Sequence, residues 1–328
     1  MTCAYQTTIP PIEPAGIALD IPCSDGNLLA ARVYGPSDAP RLVMSHGNGM
    51  AIAGYRTFWR PLADEFQVVA FDVRSHGRSG GGASGKHHWT QFVDDMEAVW
   101  QTVVDSLGPR HTIGVFHSLS AVAALGHVRR YGKRWDGLLL FDPPLMPPDG
   151  HLLQVLHKQE MAFLVERVLR RRRHYRSPDE LAEQFSRQPL FRHWRPEAFQ
   201  DMARAVLKYD ALAGGWVLAC PPEYEARIYE TNIDQGNWLS LPASPSPVKL
   251  VCGDPEIDDV QPSAHIGLAA ALELGVDYEA VPQATHFLQI EHPQACQAIT
   301  RAFYRNSLRN RQQTERAREH IGPGVTDP

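Results

Sequence analysis

The chain has 328 residues, of which 43% are hydrophobic, and a formal net charge of −5. This length suffices for one large domain or two modest ones, and the mild negative charge argues against a nucleic-acid partner. The N-terminus lacks the basic and apolar regions of a signal peptide, and no apolar run reaches transmembrane length. A soluble, cytoplasmic protein is therefore expected.

The first predicted element is a hairpin, because the turn residues Asp25-Gly26-Asn27 precede a short apolar segment at 32–34. Short apolar runs then recur between helical segments, as is typical of strands buried on both faces of a parallel sheet. These runs are 42–44, 68–71, 112–115, 138–141 and Val248–Cys252, with a last strand at 276–281. The alternation of strands and helices predicts an α/β sheet with right-handed crossovers.

Two helices between these strands have clear ends. Thr90 is the predicted N-cap of a helix whose apolar residues recur on one face and which ends at Gly108. The second helix is predicted over 121–131 and ends at Gly132.

The alternation stops after Asp142, where prolines begin about a hundred residues without a convincing strand. Helices are predicted there over 151–173 and 196–212. We therefore expect four segments: a core in two parts (1–144 and 247–308), a helical cap inserted at 145–246, and a polar tail at 309–328. The arginine run 170–173 is interpreted as a solvated helix face rather than a docking patch for an anionic partner.

Ser118 directly follows a predicted strand and precedes a predicted helix. This context is typical of a nucleophile elbow, in which the backbone N–H of Leu119 lies beside the serine at the helix N-terminus. The alternative is a serine that only caps a helix. The sequence around it, Phe116-His117-Ser118-Leu119-Ser120, lacks both glycines of the usual Gly-x-Ser-x-Gly pattern.

Two further loops follow predicted strands. The glycine-rich loop 45–50 could bring a second N–H, that of Asn48, to an oxyanion, although a plain turn also favours Gly and Asn. His286 follows the last predicted strand and is positioned to act as a general base.

Taken together, these segments resemble the α/β-hydrolase family, and the resemblance spans nearly the whole chain outside the cap and tails. The matching segments are His46-Gly47, the run from Phe71 to Ser79, His117-Ser118-Leu119, and Thr285-His286-Phe287 with Glu291-His292-Pro293. The resemblance is strongest to the lipase and esterase branch that includes the yeast peroxisomal lipase. It implies a mostly parallel eight-stranded sheet flanked by helices, with an inserted helical cap.

A serine–histidine pair needs a carboxylate, and two positions compete for this role. The family most often places an aspartate after the strand that follows the cap, which selects Glu256. Several branches instead use the preceding strand, which selects Asp142. We favour Asp142 and keep Glu256 as the alternative.

The resemblance implies acyl transfer by Ser118, His286 and a carboxylate, with the N–H groups of Asn48 and Leu119 as the oxyanion hole. No cofactor or metal is expected, since the histidines lack a metal-ligand spacing. A small-molecule ester with a hydrophobic portion is the expected substrate, and a homodimer is one open oligomeric state. The alternatives are hydrolysis of a C–C bond, lactone or thioester, and a non-catalytic ligand-binding relative. Phe116 is expected to pack beneath the turn, and Ser120 to be tolerated because it is small.

Overall fold

The computed structural model describes residues 16–81, 87–257 and 261–321. Residues 1–15, 82–86 and 258–260 and the end of the predicted tail, 322–328, lie outside the described residues. Within the described ranges the strands are β1 (Ile17–Pro22), β2 (Leu28–Tyr34), β3 (Arg41–Ser45), β4 (Gln67–Phe71), β5 (Thr112–His117), β6 (Gly137–Phe141), β7 (His174–Tyr175), β8 (Leu207–Asp210), β9 (Gly215–Leu218), β10 (Val248–Cys252) and β11 (Asp277–Ala280).

The α-helices of the same ranges vary from one turn to eight turns in length. They are α1 (Arg56–Trp59), α2 (Trp89–Leu107), α3 (Leu119–Tyr131), α4 (Leu152–Leu169), α5 (Pro178–Ser186), α6 (Pro196–Val206), α7 (Pro222–Thr231), α8 (Gly236–Ser240), α9 (Pro262–Leu274), α10 (Leu288–Glu291) and α11 (Pro293–Ile321).

Eight strands form one sheet in the order β1-β2-β4-β3-β5-β6-β10-β11. The pairs β1–β2 and β2–β4 are antiparallel, and the other pairs are parallel. The predicted hairpin and each predicted strand of the main sheet are therefore confirmed, as is the mostly parallel eight-stranded α/β fold.

The central strands are continuously apolar because they separate two hydrophobic cores. On β3, Leu42 and Met44 contact one core and Val43 contacts the other. On β6, Leu139 and Leu140 are divided between the two cores in the same way. Successive strand residues point to opposite faces, so a strand covered on both sides needs apolar residues at every position.

The segment between β6 and β10, residues 145–246, is called the insertion below. It contains α4 to α8 and a three-stranded sheet in the order β7-β9-β8. The prediction that this segment lacks strands is wrong, and the helix predicted at 196–212 ends at Val206. The missed strands have two to four residues each, too few for a periodic pattern.

Three other predicted helix ends need correction, and the first is that of the helix predicted over 151–173, which ends at Leu169. The helix predicted to start with Thr90 as its N-cap begins at Trp89 with His88 as its N-cap, and Thr90 Oγ1 hydrogen-bonds to His88 Nδ1 at 2.7 Å. The helix predicted to begin at residue 121 begins at Leu119. In agreement with prediction, the last helix continues into the polar tail, as far as Ile321.

Candidate active site

Ser118 occupies the sharp turn between β5 and α3. Its φ of 52° and ψ of −115° lie outside the regions that residues other than glycine ordinarily adopt. The Ser118 N–H donates to the carbonyl of Phe141, at the end of the neighbouring strand β6, at 2.9 Å. Backbone strain of this kind persists only where the surrounding structure enforces it, and it is concentrated at functional sites.

Ser120 stabilises this turn through its hydroxyl group. Its Oγ accepts from the His117 N–H at 3.0 Å and donates to the His117 carbonyl at 2.9 Å. The expectation that Ser120 is tolerated because it is small was therefore incomplete. At this position the hydroxyl hydrogen-bonds to the backbone that enters the turn.

Phe116 is accommodated by a glycine two residues earlier in β5. Its ring is fully buried and meets Phe71 and Trp135 edge-on, at centroid distances of 6.3 and 5.4 Å. A Cβ atom at Gly114 would lie only 2.4 Å from Phe116 Cε2. Residues two apart on a strand share a face, so Gly114 leaves the space that the Phe116 ring fills. As expected, Phe116 packs in the core beneath the turn.

His286 lies in the loop after β11 and bridges Ser118 and Asp142. Its Nε2 lies 3.0 Å from Ser118 Oγ, and its Nδ1 lies 2.5 Å from Asp142 Oδ2. Because a carboxylate only accepts, Nδ1 bears the proton, and Nε2 of the neutral ring can accept from the serine hydroxyl. Burial alone would lower the pKa of His286, but the hydrogen bond and charge of Asp142, with the charges of Glu160 and Glu291, raise it above its usual value.

Asp142 follows β6 directly and is fully buried, with a φ of 44°. Its Oδ1 accepts from the Gly253 N–H at 3.1 Å, and its Oδ2 also accepts from Ser263 Oγ. Burial would raise the pKa of Asp142, but hydrogen bonds from His286, Ser263 and Gly253 lower it. Ser263, in the first turn of α9, was missed because a serine at a helix start usually signals only a helix N-terminus.

Glu256, the alternative carboxylate, lies in the turn after β10. The residue is exposed, and its N–H donates to Asp254 Oδ1 at 3.0 Å. Asp254 Oδ2 in turn accepts from the Gln283 N–H at 2.9 Å. The carboxylate that the fold brings to His286 is therefore Asp142, while Glu256 belongs to a solvated acidic turn.

The two predicted oxyanion-hole residues lie on either side of Ser118. Leu119 is the first residue of α3, so its N–H has no acceptor within the helix. Asn48, in the loop after β3, lines the same cavity as Ser118. The Asn48 side chain is engaged elsewhere, since its Nδ2 donates to the Glu225 carbonyl at 2.9 Å.

Two glycines let the Asn48 loop approach its neighbours closely. A Cβ atom at Gly47 would lie 3.0 Å from Ser118 Cβ. Gly49 has a φ of 73°, and a Cβ atom there would lie 2.3 Å from Glu225 Oε1. The loop therefore packs against the serine turn on one side and against the insertion on the other.

His117 and Tyr55 connect the loops around Ser118, and the sequence analysis assigned neither of them a role in the site. His117 Nε2 donates to the His286 carbonyl at 2.8 Å, so its Nδ1 accepts from the Tyr55 hydroxyl at 2.8 Å. The Tyr55 oxygen also accepts from the Gly47 N–H at 3.5 Å. Burial, reinforced by His286, lowers the pKa of His117 to about 3, so this ring is neutral at pH 7.

A cavity of about 570 Å³ adjoins Ser118 and His286, and both the main sheet's loops and the insertion line it. Most of its wall is apolar. The apolar side chains that the insertion contributes include Met161, Leu164, Val168, Phe185 and Phe191. This composition is typical of a site for a small, largely apolar ligand.

The arginine run 170–173 is neutralised by carboxylates. Each of these arginines forms an ion pair, and the pairs are Arg170–Glu166, Arg171–Glu225, Arg172–Glu180 and Arg173–Glu223. The Arg170 side chain is 78% exposed. Arg170, Arg172 and Arg173 are exposed, in agreement with the interpretation of a solvated face, whereas the Arg171 side chain is only 21% exposed and lines the cavity.

Two other classes of site, metal sites and membrane-spanning helices, are absent from the described ranges. Among these residues, no three His, Cys, Asp or Glu side chains are grouped so as to hold a metal ion. None of the helices described has both the length and the apolar character that a membrane crossing requires.

The chain is similar to known proteins in sequence and in fold. The model of the alpha/beta hydrolase family matches residues 42–298. A proline iminopeptidase of Pestalotiopsis fici is 32% identical over 78 residues, which cover 23% of this chain and 27% of that protein. A bifunctional esterase/perhydrolase of Acinetobacter calcoaceticus is 32% identical over 137 residues, 38% of this chain and 47% of that protein.

The matched segments thus span less than half the length of either curated relative. Among solved structures, E-2-(acetamidomethylene)succinate hydrolase superposes with a TM-score of 0.72 at 18% identity. That superposition covers 88% of this chain and 98% of the other, and at this identity it establishes a shared fold.

Proposed function

The chain belongs to the alpha/beta hydrolase family, and from this premise we propose that it is a serine hydrolase that cleaves a carboxylic ester through an acyl-enzyme intermediate. The observation that supports this most strongly is the hydrogen-bonded chain from Ser118 Oγ through His286 to Asp142. A strained serine after a central strand, in contact with a histidine that is oriented by a buried carboxylate, is the arrangement that acyl transfer requires.

In the proposed reaction, Ser118 Oγ attacks the ester carbonyl while His286 Nε2 accepts the hydroxyl proton. Asp142 keeps the proton of the ring on Nδ1 and stabilises the charged imidazolium. The N–H groups of Leu119 and Asn48 donate to the oxyanion that forms on the carbonyl oxygen. His286 then protonates the leaving alkoxide, and a water molecule activated by the same ring hydrolyses the acyl-enzyme.

The preference for an ester with a hydrophobic portion rests on the apolar wall of the cavity. Thioesters, lactones and C–C bonds beside a carbonyl are cleaved by the same three groups, so a panel with one substrate of each class separates these alternatives. The 3.0 Å contact between Ser118 and His286 argues against a ligand-binding relative that has lost catalysis.

The proposal is tested by covalent labelling with a fluorophosphonate, which reacts with serines activated in this way. We expect one label per chain, located on Ser118 by peptide mass spectrometry. Ser120→Ala is the matched control, since it removes a hydroxyl from the same turn and should still label at Ser118. A folded protein that does not label under these conditions would falsify the serine hydrolase proposal.

The pH dependence of kcat/KM follows from the electrostatics of His286. Only the neutral ring can accept the Ser118 proton, and Asp142 raises the pKa of His286 above its ordinary value of about 6.5. Activity should therefore rise with pH, with a midpoint above pH 6.5, when kcat/KM is measured from pH 5 to 9.

The variant Glu160→Gln tests the electrostatic explanation of this pH profile. Burial raises the pKa of Glu160 to about 7, and its negative charge helps to raise the pKa of His286. Removing that charge should move the midpoint of the profile to lower pH. A profile that is flat between pH 5 and 7, or that falls with rising pH, contradicts the assignment of His286 as the general base.

A further inference from the structure

One face of α4 lies along the cavity beside Ser118, and the residues that directly follow α4 continue this face. Glu160, Leu164, Arg167 and Arg171 all line this cavity, and their spacing of four, three and four residues places them on one side of a helix. The cavity thus has charged groups at defined positions along an otherwise apolar wall.

The two ends of this face differ in charge. Glu160 lies at the reactive end, since the charges of His286 and Asp142 both act on its carboxyl group. Arg167 is seven residues further along the helix, a rise of about 10 Å at 1.5 Å per residue. The wall of the cavity is therefore acidic at Glu160 and basic about 10 Å further along α4.

Arg167 differs from the arginines that follow it because its partner is a neutral amide. Its Nη2 donates to Gln188 Oε1, whereas Arg170 to Arg173 each pair with a carboxylate. No ion pair found among the described residues includes Arg167. Burial and the neighbouring Arg171 lower the pKa of Arg167, yet a guanidinium stays protonated at neutral pH.

The surroundings of Arg167 supply additional hydrogen-bonding groups. Gln184, Gln188 and Tyr229 line the same cavity, and burial raises the pKa of Tyr229, so its hydroxyl group is neutral at pH 7. Because Arg171 is neutralised by Glu225, the local excess is one positive charge. A half-buried guanidinium with unused N–H donors matches a carboxylate, which it can bind through two parallel hydrogen bonds.

We propose that Arg167 binds a carboxylate of the substrate, so that this site, if it is the esterase described above, acts on an ester that has a second, free carboxyl group. With the scissile carbonyl at the Glu160 end, the rise of about 10 Å along α4 corresponds to about eight bonds to the carboxylate, because an extended chain advances about 1.2 Å per bond. The pKa of Glu160 is raised to about 7, so above that pH its charge repels an anionic group and favours the orientation with the carboxylate at Arg167.

The test compares esters that differ only in the terminal carboxylate. One arm uses p-nitrophenyl monoesters of dicarboxylic acids with 4, 6, 8 and 10 carbons against p-nitrophenyl esters of monocarboxylic acids of equal length. The other arm uses acetates of ω-hydroxy acids against alkyl acetates, so that the carboxylate lies on the alcohol side. In one of the two arms, wild-type kcat/KM should be about 10- to 100-fold higher for the ester with the carboxylate than for the neutral ester of equal length at 8 to 10 carbons. At 4 carbons this preference should be absent.

Arg167→Met should abolish this preference, mainly through a higher KM, and leave hydrolysis of the neutral esters within about threefold. Arg167→Lys should retain part of the preference, because the charge remains without the planar fork. Arg187→Met is the matched control: Arg187 is also in the insertion, its side chain is 74% exposed, and its removal should leave the preference intact.

Two outcomes overturn this proposal. The first is a wild-type enzyme that does not favour the carboxylate-bearing ester in either arm. The second is an Arg167→Met enzyme that is folded by thermal melting and either keeps the preference or loses activity equally on neutral and anionic esters. Failure of the esterase proposal looks different, because then neither class of ester is hydrolysed and Ser118 is not labelled.

Discussion

Ser118→Ala is expected to lower kcat/KM for an ester substrate by about 10⁴- to 10⁶-fold. The variant removes the only oxygen that lies within hydrogen-bonding distance of His286 Nε2 among the contacts described, so no acyl-enzyme can form. The residual rate would come from the cavity and the oxyanion N–H groups acting on a water molecule. Initial rates with a p-nitrophenyl ester, measured over six decades of enzyme concentration, cover this range.

Ser120→Ala is the matched control for this measurement, because it makes the same chemical change two residues away. It removes the hydrogen bonds to the His117 backbone, so we expect a loss of about 10-fold rather than 10⁴-fold. Thermal melts of both variants should show that they are folded. Ser118→Ala with more than a tenth of wild-type activity would exclude Ser118 as the nucleophile.

Asp142→Asn is expected to reduce kcat by about 10⁴-fold. The amide preserves the shape of Asp142 but can donate to Nδ1, which favours the ring tautomer with the proton on Nε2. His286 would then be unable to accept the Ser118 proton. The variant also removes the charge that raises the pKa of His286, so any residual activity should have its pH midpoint at a lower pH.

Glu256→Gln makes the same carboxyl-to-amide change at the competing position. Glu256 is exposed and its carboxyl group is not part of the Asp142–His286 contact, so kcat should stay within about twofold of wild type. Stopped assays of both variants on the same ester decide between the two carboxylates. The opposite pattern, with activity lost in Glu256→Gln and retained in Asp142→Asn, would show that the proposed acid is wrong.

The central strands of the main sheet were predictable because they are buried on both faces. Such strands need apolar residues at every position, and runs such as 42–44 and 138–141 stand out against the polar loops beside them. The strands of the insertion were not predictable. β7 has two residues and β8 has one buried residue in four, so neither presents a pattern that differs from a loop or a helix end.

Parts of the candidate site were predictable for a similar reason. Ser118, Asn48 and His286 follow predicted strands, and the carboxyl ends of parallel strands meet at one edge of a sheet. The supporting residues were not predictable. Tyr55 lies in a short helical segment and Ser263 in the first turn of α9, and their hydrogen bonds to His117 and Asp142 leave no pattern along the chain.

The sequence by itself determined the order of the strands along the chain, the fold class and the candidate serine and histidine, because these depend on local apolar runs and on the loops that follow them. Only the tertiary structure decided which carboxylate contacts His286 and how a turn without glycines is built. The contacts of His286 with Asp142 and with Ser118 join residues that are 144 and 168 positions apart in the sequence. The space for Phe116 depends on Gly114 and on side chains of neighbouring elements. Distances of this kind are set by how the strands and loops pack, and the linear order of residues does not specify them.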